Sequence, residues 1–139
     1  MTVLHLLAAL IAANMWGTQP AFDSRGPEEL LGIWRGTSTC TDRVAAPACQ
    51  DENVVYEFTA GERAGTVHWI ADKIANGKRE RMGELDLTYD TGEARWKVEF
   101  KSPRSTVIWR LSVEGTVLSG TAQLSPGNET VRKVELRKQ

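Results

Sequence analysis

The chain has 139 residues, with 17 Lys plus Arg against 18 Asp plus Glu and 41% hydrophobic side chains. That length holds one domain, and the composition is that of a globular chain rather than a disordered one. The balanced charge excludes the basic excess that nucleic-acid binding by phosphate neutralisation requires, so no nucleic-acid partner is expected.

The opening "MTVLHLLAALIAAN" carries no charged side chain from Val3 to Ala13, and the first Asp, Glu, Lys or Arg is Asp23. An apolar run of about 10 to 14 residues is short for a membrane span and suits the core of a secretory signal. No Lys or Arg precedes the run, and Pro20 blurs the small-residue pattern of Thr18 and Ala21, so a buried or amphipathic N-terminal helix is the alternative. The expectation is a signal peptide over 1–21, cleaved to leave an exported protein, periplasmic or secreted, with no stable membrane insertion. A lead-in over 22–32 follows. Ser24 or Asp23 would cap a short helical turn running through Leu31, with Pro27 early in it.

From Ile33 the text changes to short runs rich in Val, Ile, Thr, Tyr, Phe and Trp. They are Ile33–Cys40, Val54–Thr59, Thr66–Ile74, Arg81–Tyr89, Arg95–Lys101, Thr106–Val113, Val117–Leu124 and Thr130–Arg137. Alternation is clearest in "ARWKVEFK", where Ala94, Trp96, Val98 and Phe100 share a face. It persists in "VIWRLSV", with Val107, Trp109, Leu111 and Val113 together, and in the last run, where Arg132, Val134 and Leu136 are in phase. The third run is ambiguous: His68, Ile70, Asp72 and Ile74 share one face, and Val67, Trp69 and Ala71 the other. Hairpin-short connections predict an all-β domain over 33–139, an eight-stranded antiparallel up-and-down barrel, with a two-sheet sandwich as the competing geometry.

Cys40 and Cys49 have eight residues between them. In an oxidising compartment they are expected to form one disulfide, because a redox pair needs closer spacing and zinc needs further soft ligands. No metal or cofactor is expected.

"GIW" (Gly32, Ile33, Trp34), opening an eight-strand meander, resembles the Gly-x-Trp signature that begins strand one in lipocalins and related calycin barrels. The resemblance implies that Trp34 closes the barrel floor and that an arginine of the last strand, Arg137 or Arg132, packs across its ring. The segments "GIWRGTSTC", "PACQDE" and "ADKIANGKRERMGELDLTYD" are similar to small secreted bacterial proteins. Secreted protease inhibitors of calycin-like form also open with Gly-x-Trp and carry one disulfide, which implies a protein partner instead.

Trp96 and Trp109, on the buried faces of adjacent runs, are expected to pair across strands, and with Trp69, Phe100 and Tyr56 they would wall a ligand cavity; a filled core is the alternative. His68 is read as a rim or surface side chain, Asp42, Asp51 and Glu52 as a solvated acidic loop end, and "KRERM" (Lys78–Met82) as a solvated basic hairpin tip. No nucleophile elbow, phosphate loop or imidazole-based constellation occurs, so no catalytic residue is assigned. The expected function is non-catalytic binding of a small apolar or amphipathic molecule.

Overall fold

A computed structural model describes residues 26–139. The expected leader over 1–21 and the capping candidates Asp23 and Ser24 lie outside the described residues. Eight strands run in chain order: β1 (Gly32–Cys40), β2 (Glu52–Ala60), β3 (Thr66–Ala75), β4 (Lys78–Asp90), β5 (Arg95–Lys101), β6 (Thr106–Glu114), β7 (Val117–Ser125) and β8 (Thr130–Lys138). Each pairs antiparallel with the next, and β8 returns to β1, so the meander is a closed barrel and not a sandwich. Among the described residues no helix is long and apolar enough to cross a membrane.

Side chains opposite one another in a ladder share a face, and along a strand the faces alternate. Trp34 stands opposite Tyr56 and Lys138, Phe58 opposite Trp69, Val67 opposite Leu87, and Trp96 opposite Tyr89 and Leu111. These positions form the inner face. The ambiguity of the third run resolves with Val67, Trp69 and Ala71 inward and His68 and Ile70 outward, because β2 offers Tyr56 and Phe58 on the inside.

One end of the barrel is plugged. Trp34 and Leu30 are both fully buried, and the indole N–H of Trp34 donates to the Leu30 carbonyl at 2.9 Å. The helical turn expected through Leu31 is shorter, a single 3-10 turn over Pro27–Glu29 with Gly26 at its start and no side-chain cap. It is short because Leu30 and Leu31 leave it to pack onto the core. Gly32 joins the turn to β1 at φ 120°, a backbone geometry open to glycine and strained for other residues. The indole N–H of Trp96 donates to Glu29 Oε1 at 3.0 Å and fixes the turn across the barrel end. The cation over the Trp34 ring is Lys138, 5.4 Å from its centroid. The arginines considered for that role are elsewhere. Arg137 is exposed on the outer face opposite Arg35, and Arg132 lies opposite Cys40 at the far end of β1.

Truncating so large a buried ring leaves a cavity that the closed ladder cannot collapse around. Trp34→Ala is expected to cost about 3–5 kcal/mol in denaturant unfolding, in the range for Trp and Phe truncations. A loss under about 1 kcal/mol would show that the plug is dispensable.

Candidate functional site

Moving along the strands away from Trp34, the interior thins. Gly36 on β1, Gly120 and Ala122 on β7, Ala71 on β3 and Gly83 on β4 all occupy inward positions. Gly36 is required there by packing, since a Cβ would run into the Glu135 carbonyl of β8. At Gly83 a Cβ would meet nothing within 4 Å. Ala71 and Gly83 line a cavity of about 270 Å³ at the end opposite the plug. This volume is near the lower bound of ordinary small-molecule sites.

One side of the cavity is apolar: Trp69, Ala71, Met82, Leu85, Phe100 and Trp109. Trp69 lies edge-on to Tyr56 at 4.9 Å and to Trp109 at 5.2 Å, arrangements that aromatic quadrupoles favour. Phe100 and Met82 stand at the rim, 47% and 41% exposed. The other side is a polar string. Arg132 donates through Nη1 to Ser38 Oγ at 2.9 Å and through Nη2 to the Gln50 carbonyl at 3.0 Å, with Glu52 Oε2 at 3.6 Å from Nη1. Ser38 and Tyr56 are each 1% exposed, and the Tyr56 hydroxyl lies beside that of Ser38. Burial pushes the Tyr56 phenol well above its usual range, against the smaller opposing effects of Arg132 and Ser38, so it stays protonated. Trp69 Nε1 is the one buried side-chain polar atom without a partner among the described residues.

Of the aromatic residues expected to meet a ligand, Trp69, Trp109, Phe100 and Tyr56 come together here. Trp96 does not. It lies at the plugged end against Tyr89, with ring centroids 5.3 Å apart. Trp96 and Trp109 do not pair either, because the β5–β6 register sets Trp96 opposite Leu111 and Trp109 opposite Val98. The polar string was missed as a unit, although Ser38 in phase with Trp34, and Arg132 in phase with Val134 and Leu136, are the alternation signal that marks inward polar side chains.

The wall is discontinuous at one seam. β4 and β5 pair only over Thr88–Lys97, Tyr89–Trp96 and Asp90–Arg95, near the plugged end. Towards the open end, Gly83 to Leu87 and Val98 to Lys101 face one another without a shared ladder, and the cavity reaches this gap through Gly83, Leu85 and Phe100.

The loop between β1 and β2 braces the open end. Cys40 and Cys49 are joined by a disulfide. The acidic residues expected to be merely solvated have structural partners: Asp42 accepts from the Val44 and Ala45 N–H groups, and Asp51 accepts from the Cys40 N–H at 2.8 Å and from Arg43 at 3.2 Å. Glu52 faces Arg132, as above.

On the outer surface of β3 and β4 the basic tip is also engaged. A β-bulge leaves Met82 unpaired, so Arg81 stands opposite Asp72. Asp72 is 4% exposed and accepts from Arg81 Nε at 2.6 Å and Arg79 Nε at 2.9 Å. Burial would raise its carboxyl, but these hydrogen bonds outweigh burial and hold it below the usual range. Glu84 spends its carboxylate outside the barrel as well, on Arg81 Nη1 and on His68 Nε2 at 3.1 Å. His68 Nδ1 meets Asp86 at 2.8 Å. Among the described residues no group of three or more His, Cys, Asp or Glu is arranged to hold a metal ion.

Compared with protein-family models, with curated proteins and with solved structures, the chain matches none.

Removing the disulfide by Cys40→Ser with Cys49→Ser is expected to cost about 2–3 kcal/mol, the loop-closure value for so short a ring, read from urea unfolding. An unchanged midpoint would show that the hydrogen bonds of Asp42 and Asp51 alone hold the loop. The hydrogen bond to Asp86 raises the His68 pKa above 6.5, against the smaller effect of burial and with help from Glu84. A raised folded pKa stabilises fully below the unfolded value and the contribution fades as pH climbs through the folded one. Stability is therefore expected to decline from pH 6.5 upward by a component that His68→Gln abolishes, and the His68 ring resonances should titrate above 6.5 by NMR. Titration below that value contradicts the pairing.

Proposed function

We propose that this chain is an exported, non-catalytic binding barrel of lipocalin-like form that takes a small apolar or amphipathic molecule into its open end. The observation that carries this reading is the cavity of about 270 Å³, with aromatic walls on one side and a short polar string on the other. A few placed polar groups in an otherwise apolar hollow are the usual makeup of a small-molecule site. The sealed opposite end supports it too, because a molecule has one way in. The Cys40–Cys49 disulfide suits an oxidising compartment and so supports export. A protein-binding barrel is the second reading, favoured by Val44, 95% exposed on the loop that the disulfide closes.

Filling the cavity separates the two. Gly83 lines it, has room for a side chain and sits outside the left-handed backbone region, so Gly83→Phe is expected to leave the melting temperature nearly unchanged. The same variant should weaken binding of the neutral dye N-phenylnaphthylamine, followed by its fluorescence, at least about tenfold, the effect of about 1.4 kcal/mol. Equal dye binding by both proteins, or none by the wild type, sinks the small-molecule reading.

A further inference from the structure

The cavity reading leaves the chemistry of the bound molecule open, and the lining narrows it. Beside the Glu52 carboxylate, which faces Arg132, the polar string presents hydroxyl donors to the cavity. Arg132 brings only donors, and it uses Ser38 Oγ and the Gln50 carbonyl as acceptors. Ser38 and Tyr56 own one hydroxyl proton each. A hydrogen bond between them consumes one proton, Arg132 offers them no acceptor, and neither hydroxyl donates to Glu52, so one hydroxyl proton remains to give. The high pKa of Tyr56 keeps its proton in place. Trp69 Nε1, covered by its ring neighbours, is a further donor without an acceptor beside the same tyrosine.

The charges, in contrast, cancel. Arg132 is the cation of the lining and Glu52 its anion, both with side chains 19% exposed and 3.6 Å apart. Glu84 touches the cavity but commits its carboxylate to Arg81 and His68 outside. An anionic molecule would bring a second negative charge beside Glu52, and a cationic one a second positive charge beside Arg132. Either leaves a charge uncompensated in a largely desolvated space.

We propose that the molecule bound here is uncharged and mostly apolar, and carries a carbonyl-type oxygen that accepts from the hydroxyl pair of Tyr56 and Ser38. This rests on the cavity being the binding site, as argued above. The aromatic rings take the apolar body and the hydroxyls fix the oxygen. Specificity follows because a hydrocarbon leaves the donor unspent, and an acid or an amine disturbs the Arg132–Glu52 balance.

The test titrates the full-length protein with four aromatic probes of similar size, namely acetophenone, cumene, benzoate and benzylamine, by NMR chemical-shift changes. Acetophenone is expected to bind at least about tenfold more tightly than the other three, the effect of one desolvated hydrogen bond. Tyr56→Phe should erase its advantage over cumene and leave the cumene affinity within about twofold of wild type. If Tyr56→Phe fails to fold by circular dichroism, Ser38→Ala takes its place with the same expectation. Equal affinity for acetophenone and cumene, tighter binding of benzoate or benzylamine, or a preference that survives loss of the hydroxyl overturns the carbonyl assignment, while dye binding blocked by Gly83→Phe still upholds the cavity. Absence of acetophenone binding overturns it as well, and if the dye also fails to bind, both readings fall.

Discussion

The burial of the Trp34 indole against Leu30 is the constraint on which the rest of the barrel depends. A closed sheet of eight strands must fill its interior or leave it hollow. Here one large ring fills the floor, and its N–H is satisfied by the carbonyl at Leu30 at 2.9 Å. With that donor paired, the ring is buried without the penalty of an orphaned polar group. The turn over Pro27–Glu29 is drawn into the same seal by Trp96, which adds a second indole hydrogen bond. Bulk is therefore concentrated at one end, and the small residues Ala71 and Gly83 line the hollow at the other.

This division of the interior also separates two kinds of polar chemistry. Outside, Asp72, Arg79, Arg81, Glu84, His68 and Asp86 form a connected patch over β3 and β4, in which each carboxylate meets a basic group. Inside, a single guanidinium and a single carboxylate face one another across the hydroxyl of Ser38. Placing Glu84 outward matters for the inside. Had its carboxylate turned into the barrel, the lining would carry two carboxylates against the one guanidinium of Arg132.

The fold was legible because alternation is a local property. "ARWKVEFK" and "VIWRLSV" name their buried faces without help from any neighbour, and the number of strands follows from the turn residues between them. What failed to read was register. Whether Trp96 meets Trp109 or Leu111 depends on how the β5–β6 hairpin closes, and a shift of two residues changes every partner while keeping every face. The Asp72 clamp depended on a bulge that sets Arg81 rather than Met82 opposite the carboxylate, which the letters "KRERM" do not announce. The cation over Trp34 was sought among arginines, although the alternation of β8 puts Lys138 on the face of that ring and Arg137 on the opposite one. The candidate site was half visible: its aromatic wall could be named from the strand faces, whereas its hollow depends on the sum of side-chain volumes around a closed ring of strands.

The short ladder between β4 and β5 gives the barrel a property that the other seams lack. Along a fully laddered seam, widening the wall means breaking backbone hydrogen bonds in sequence. From Gly83 to Leu87 and from Val98 to Lys101 there are none across the gap to break. The rim beside that gap, which carries Met82 and Phe100, is therefore the part of the wall that can widen without breaking a ladder.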